Sequence, residues 1–304
     1  MAKLSVVISA FNEEKKIKVC LESVKWADEI IFIDNNSTDQ TRAIAQKYTK
    51  KIYTQKNNPA NIDLQKNTGI SKATGDWILV LDGDEAVTPE LAQEIQSICH
   101  SEIKLDANGY WIPRKNIIFG KWIEHSGWYP DYQLRLFRRG HGKYEKQHYH
   151  EPLTVLGKTA YLHMDLLHAN YENVGQFLYK HLQVYAQNEA DELLRKNYIF
   201  DPADAIRFPL REFLSRYFAR DGYKDGFHGL VLSLLMAIYH FAIFVYLWEK
   251  EKFTDTNTST LEFLNKELQK NHKEMTFWLK KKKIEEEKNI VKKLQLQIKN
   301  KLHL

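Results

Sequence analysis

Residues 78–81 read Ile-Leu-Val-Leu, a short unbroken apolar run that stops abruptly at Asp82-Gly83-Asp84-Glu85. A run of this length without polar alternation fits a strand buried on both faces, as in a mostly parallel sheet covered by helices. In open α/β sheets, ligands bind beyond the carboxyl ends of the strands. Three carboxylates at that end, on a turn that Gly83 allows to be tight, are well set to hold a hard divalent cation through oxygen. The residues alone leave a second reading equally open, a solvated acidic turn that merely ends a strand.

The first hundred residues repeat the theme. Strand patterns at 4–9, 30–34 and, more weakly, 52–53 alternate with helix patterns at about 14–24, 40–48 and 62–72, and a further helix runs from Pro89 to about His100. The second strand also ends in an acid, Asp34, and Asn35-Asn36-Ser37-Thr38-Asp39 supplies turn and N-cap chemistry. Such alternation predicts an α/β fold with helices on both faces of a parallel sheet. Neither G-x-G-x-x-G after the first strand nor G-x-x-x-x-G-K-[ST] anywhere occurs. Phosphate charge would then have to be met by a metal and a few basic residues. Cys20 and Cys99 fit no metal or redox spacing and are expected to be buried free thiols.

From 109 to 168 the texture changes to Tyr, Trp, Phe, Arg and His, with strand-like runs at 109–114 and 133–137. This fits a mixed-sheet extension with substrate-facing loops. Trp111, Trp122, Trp128 and Tyr129 suit either sugar stacking or the core.

The remainder reads as helical. Residues 173–196 carry apolar positions at helical spacing, and 206–224 pair Phe208, Phe213, Leu214 and Tyr217 with Arg207, Arg211, Arg216 and Arg220. Residues 229–248 follow without one formal charge, long enough to cross a hydrocarbon core. An amphipathic basic stretch beside an apolar one predicts contact with a membrane surface, by crossing or by embedding in one leaflet; a buried helix pair is the soluble alternative. A charged, Lys-rich helix is expected over 259–304. The net charge of +5 is modest and weighted to this end, which suits anionic lipid or a phosphorylated substrate and argues against a nucleic-acid partner. The start of the chain runs straight into a strand, so no signal peptide is expected and the catalytic part belongs in the cytoplasm. The expected organisation is a sheet domain over 1–168, a membrane-associating helical extension over 169–250, and a charged helix over 251–304.

Four stretches in this order carry a resemblance: Val7-Ile8-Ser9-Ala10-Phe11-Asn12-Glu13-Glu14, Asp34-Asn35-Asn36-Ser37-Thr38-Asp39, Gln65-Lys66-Asn67-Thr68-Gly69 and Asp82-Gly83-Asp84-Glu85. Together they resemble family 2 glycosyltransferases of the GT-A fold, a Rossmann-like mixed, mostly parallel sheet flanked by helices. Tyr129-Pro130-Asp131-Tyr132-Gln133-Leu134-Arg135-Leu136-Phe137 and His150-Glu151 are similar to bacterial lipopolysaccharide core glycosyltransferases. The resemblance covers roughly the first 165 residues.

The resemblance implies roles. Ala10, Asn12, Glu13, Asp34 and Asp39 would line the nucleotide, with Lys66 against the pyrophosphate. Asp82 and Asp84 match the family's D-x-D element and would hold Mg²⁺ or Mn²⁺, with His150 as a further metal or pyrophosphate contact and Glu85 as either an additional acid or a helix-start residue. Arg135 and Arg138 would meet phosphates. Asp131 is the favoured general base for the acceptor hydroxyl, with Glu151 the other candidate. From the residues alone, Glu13 and Asp39 fit helix caps and Lys66 an exposed lysine. The expected function is inverting transfer of one sugar from a nucleotide diphosphate sugar to a lipid-linked or lipopolysaccharide-core acceptor, at the cytoplasmic face of the inner (cytoplasmic) membrane. The alternatives are a membrane-anchored nucleotide- or sugar-binding protein without transfer activity, and a sugar nucleotidylyltransferase, which would show a Gly-rich basic loop where this chain has Ala10-Phe11-Asn12-Glu13.

Overall fold

The computed structural model describes residues 2–58, 62–101, 106–145, 152–255 and 259–301. Two compact units emerge, one formed by residues 1–122 and 128–172, the other by 123–127 and 173–304.

The first unit is built on one large sheet. Strands β1 (Leu4–Ala10), β2 (Glu29–Asp34), β3 (Ile52–Thr54) and β4 (Trp77–Asp82) are mutually parallel in the order β3-β2-β1-β4. Every residue of β1 is buried, as are the first five of β4, which matches their unbroken apolar sequence. Short helices α1 (Ile17–Ser23), α2 (Thr41–Ala45) and α3 (Lys66–Ile70) connect these strands. After β4 come β5 (Glu85–Val87) and α4 (Pro89–Cys99), the latter capped by Thr88, whose hydroxyl accepts from the Leu91 N–H at 3.2 Å with Pro at N1. Cys20 and Cys99 are both buried and free.

Strands β6 (Gly109–Ile118), β7 (Lys121–Trp122), β8 (Asp131–Arg138), β9 (Gly142–Tyr144), β10 (Leu153–Val155), β11 (Thr159–Tyr161) and β12 (Leu166–Tyr171) complete the unit. The sheet continues β4-β8-β6-β12-β5, with β8 antiparallel to both neighbours, β12 parallel to β6, and β5 antiparallel to β12. The chain is therefore α/β with a mostly parallel first half and a mixed second half, as its sequence indicates.

One connection bends this sheet. Only Gly83 and Asp84 separate β4 from β5, yet β5 lies four strand steps away. Four steps in a flat sheet span about 19 Å, whereas Asp82 to Glu85 reaches at most about 11 Å. The sheet must curl until β5 returns to the tip of β4. That curl gathers distant strands around the acid turn. Glu85 itself is a strand residue, and the following helix starts four residues later.

In the second unit, α5 (Val174–Leu178) is capped by Asn173 and passes through a π-helical stretch at 179–185 into α6 (Ala186–Arg195). Helix α7 (Asp204–Leu214) loosens into a π-helical stretch at 215–219, and left-handed Asp221 (φ 56°) ends it. The basic amphipathic segment 206–224 is thus not one continuous helix. Helix α8 (Phe227–Lys250) starts where Gly229 packs against Gly222; a Cβ on Gly229 would lie 1.8 Å from the Gly222 carbonyl oxygen, so no side chain fits there. Helices α9 (Thr260–Glu286) and α10 (Ile290–Lys301) replace the expected single C-terminal helix, broken at extended Glu287. The loop 123–127 belongs to this unit because buried Asp225 accepts the backbone N–H groups of Glu124 (3.2 Å) and His125 (2.9 Å).

Candidate active site

The site forms at the carboxyl ends of β1, β2 and β4, where the curled sheet brings β5, β6, β8 and β12 around them. Residues facing each other across strands project on one side of a sheet. Glu85 pairs with His168, His168 with Asn116, and Arg114 with Asp131, while Gln133 and Arg135 follow Asp131 at the two-residue period. Six of these polar residues, from four strands, therefore share one face, and Arg135, at the register shift between Leu134 and Leu136, joins them through Glu85.

At its centre is a buried charge network. Asp82 accepts from Lys66 Nζ at 2.7 Å on one oxygen and from Arg135 Nη2 at 2.6 Å on the other. Lys66 and Arg135 are almost fully buried, so neither is the surface cation that composition alone suggests. Burial raises the Asp82 carboxyl, but Lys66 and Arg135 outweigh it and hold the group well below the usual carboxylate range. For Lys66, burial works against the charge, while Asp82, Tyr144 and Asp63 reverse that and raise it. Lys66 also reaches Asp63 at 2.8 Å and lies over the Tyr144 ring at 5.3 Å.

Glu85 is the fully buried anchor. Its Oε1 accepts from Arg135 Nη2 at 2.6 Å and from Arg114 Nη1 at 3.2 Å, and its Oε2 accepts the Asp82 N–H at 2.9 Å. Arg114 in turn donates to Asp131 Oδ2 through Nε (2.8 Å) and Nη2 (2.5 Å). Asn116 adds a 3.2 Å bond to the same oxygen, and Gln133 donates to Oδ1 at 2.8 Å. Burial would raise the Asp131 carboxyl; the Arg114 charge and these bonds lower it instead, so it stays ionised. Sequence reasoning assigned nothing to Arg114 and Asn116.

Asp84 sits differently. Among the described residues its Oδ2 has only longer contacts, His168 Nε2 at 3.5 Å and Lys16 Nζ at 4.0 Å, and its carbonyl accepts the Ala169 N–H at 3.0 Å. Asn116 Oδ1, 2.7 Å from His168 Nδ1, fixes the ring with Nε2 towards Asp84. Among the described residues, no three His, Cys, Asp or Glu side chains form a ready metal cage. Asp84 still fits Mg²⁺ or Mn²⁺, because a single carboxylate suffices for such an ion when phosphate and water complete its shell, and His168 Nε2 stands beside it as a nitrogen donor. Asp82 fits less well as a ligand, since both its oxygens already hold cations. His168 went unnoticed in the sequence; its only signal was a lone His in the apolar run 166–169.

The expected nucleotide loops are held to each other by hydrogen bonds between residues 10–14 and 35–41. Asn12, at φ 55°, accepts the Thr38 N–H at 2.8 Å and gives its own N–H to Ser37 Oγ at 3.1 Å. The Glu13 N–H goes to Thr41 Oγ1 at 2.7 Å, and the Ala10 carbonyl accepts the Asn35 N–H at 2.9 Å. Asp34 is buried at the tip of β2 and accepts the Ser37 N–H at 2.9 Å. Asp39 accepts the N–H groups of Glu14 (3.1 Å) and Thr41 (2.9 Å); burial opposes its charge but the Thr41 and Glu14 bonds lower its carboxyl, as in a cap. Gly83 lies directly over this loop, where a Cβ would come 2.9 Å from that of Ala10.

Arg138 is not brought to the cluster. It stacks over the Trp77 ring at 4.5 Å, and Trp77 begins the strand that Asp82 ends, about 16 Å away along β4. His150 and Glu151 lie outside the described residues.

Residues 5–157 match the family Glycosyl transferase family 2. An uncharacterized glycosyltransferase of Rickettsia typhi is 26% identical over 79% of this chain and 85% of its own length. The lipopolysaccharide core biosynthesis glycosyltransferase LpsC of Rhizobium meliloti is 25% identical over 78% of this chain and 89% of its own. Among solved structures, residues 1–349 of TarS from S. aureus align at 16% identity and a TM-score of 0.38, covering 84% of this chain and 94% of that one.

Proposed function

The chain belongs to glycosyltransferase family 2, and from that premise we propose that it transfers one sugar, with inversion, from a nucleotide diphosphate sugar to a lipid-linked or lipopolysaccharide-core acceptor. The observation that carries this reading is the convergence of Asp82, Asp84 and Asp131 on one curled face with Lys66 and Arg135 buried between them. The similarity to LpsC over most of both chains supports the acceptor class. It also supports work at the cytoplasmic face of the cytoplasmic membrane.

In this reading the nucleoside lies against the loop 10–13 and Asp34, whose carboxylate accepts from base or ribose. Lys66 and Arg135 balance the pyrophosphate, held in place by Asp82 rather than free to wander. Asp84, with His168 beside it, would hold the divalent cation, which would supply a Lewis acid for the charge on the departing diphosphate. Asp131 takes the proton of the acceptor hydroxyl. Its Oδ2 is occupied by Arg114 and Asn116, so Oδ1, shared only with Gln133, is the oxygen left to accept it.

Release of nucleoside diphosphate from a panel of nucleotide sugars, with and without Mg²⁺ or Mn²⁺, tests the proposal. Metal-dependent release that falls about a hundredfold or more in Asp84→Ala is expected. Equal release by wild type and variant would sink the transferase reading in favour of a binding protein.

A further inference from the structure

Helix α8 is apolar enough to cross a bilayer, with no Asp, Glu, Lys or Arg before Glu249. Its two sides have different fates. Leu232, Met236, Tyr239, Ile243 and Leu247 recur at intervals of three and four and are buried against the neighbouring helices of the second unit. Out of phase with them, Phe227, Leu234, Ile238, Phe241, Val245 and Trp248 stand between 38% and 77% exposed. They form one apolar stripe about 32 Å long.

We propose that this stripe lies in the plane of an anionic membrane, embedded in one leaflet, and that α8 does not cross the bilayer. The inference deepens the membrane location proposed above and rests on it.

What rules out crossing is the company α8 keeps. Halfway along it, Tyr239 hydrogen-bonds Glu189 of α6, and His240 Nε2 faces Glu212 of α7 at 3.5 Å. Glu212 also pairs with Arg216, and at the far end Lys250 meets Asp191 at 2.8 Å. If α8 spanned the membrane, α6 and α7 would accompany its middle into hydrocarbon. Exposed Arg211, next to Glu212 on α7, would then face lipid, where charged side chains are strongly disfavoured. Lying flat, α8 buries only its stripe and leaves those helices in water.

Charge selects an anionic leaflet over a neutral one. Exposed Lys224 and Lys252 flank the two ends of α8. Beyond it, residues 259–304 hold twelve lysines against six glutamates. Within that stretch α10 exposes Ile290, Val291, Leu294 and Ile298 on one side with Lys292 and Lys293 beside them. A basic amphipathic helix of this kind binds anionic lipid surfaces. Trp248, at the end of the stripe, is the amphipathic ring favoured at the headgroup level.

The full chain is tested by flotation with vesicles of equal parts phosphatidylglycerol and phosphatidylcholine. It should float with these, far less with phosphatidylcholine alone, and about tenfold less after Leu234→Glu with Phe241→Glu. Release of nucleoside diphosphate from a soluble donor should be unchanged in the double variant, so loss of docking is distinguishable from loss of the transferase reading. For orientation, Lys224→Cys and Lys252→Cys are labelled separately with an impermeant maleimide in intact spheroplasts and inside-out vesicles; the natural thiols are buried. Both positions should react from the cytoplasmic side. Reaction from opposite sides means that α8 crosses and overturns the proposal. So does failure to float, or a lipid-free dimer that the double variant disperses, which would assign the stripe to a second copy of the chain.

Discussion

Replacing Glu85 with glutamine removes one negative charge from beneath two guanidinium groups while keeping the shape of the side chain. Three hydrogen bonds are at stake: Arg135 at 2.6 Å, Arg114 at 3.2 Å and the Asp82 N–H at 2.9 Å. The new amide oxygen can still accept from a guanidinium, but its NH₂ group then faces the Asp82 N–H, donor against donor. A hydrogen bond to a charged group contributes about 1.5–3 kcal/mol, and stripping a buried ion of its partner costs about 3–5 kcal/mol. Arg135 retains Asp82 and Arg114 retains Asp131, so the expected loss lies near the lower end, about 3 kcal/mol. For a unit of this size that corresponds to a Tm lowered by roughly 6–12 °C. Intrinsic fluorescence reads the right unit, because five of the seven tryptophans (Trp26, Trp77, Trp111, Trp122 and Trp128) lie in the first unit. A Glu85→Gln melt within about 2 °C of wild type would refute the idea that this carboxylate anchors the network.

Three further outcomes follow from the same geometry. Asp131→Asn should lower kcat by about 10²–10⁴ while donor binding persists; if Glu151→Gln alone does this, the base is Glu151. Arg138→Ala removes a cation–π contact with Trp77 and should cost about 1 kcal/mol in urea unfolding without altering donor KM; a large rise in KM at unchanged stability would return Arg138 to the site. Glu29 is pushed up by burial but held lower by Lys51, Ser5 and Thr74, at about 2 against an ordinary 4.5. Because the folded value is the lower one, its contribution is complete above the ordinary value and is lost as pH falls towards 2, amounting to roughly 3 kcal/mol. The acid limb of a stability profile should be shallower in Glu29→Gln, and an unchanged limb would show that the carboxylate carries no such linkage.

The sequence by itself determined the strands and what stands at their tips. Short apolar runs of four to seven residues that end at turn-forming residues read as strands buried on both faces, so β1, β2 and β4 were legible, and so were Asp34 and Asp82 at their ends. The uncharged stretch 229–248 likewise announced α8, since nothing in it favours water. Periodicity says which face a residue takes but not which strand it will lie beside. Only the tertiary structure decided that β5 returns across the curled sheet to the tip of β4. With that step Glu85, left in the sequence as a spare acid or a helix start, became the counter-charge of Arg114 and Arg135. His168 came to Asp84 through the same curl, and Arg138, three residues past Arg135 along β8, was carried away to Trp77. Short-range chemistry fixed the acids of the turn. Long-range pairing, which no local pattern encodes, chose their partners.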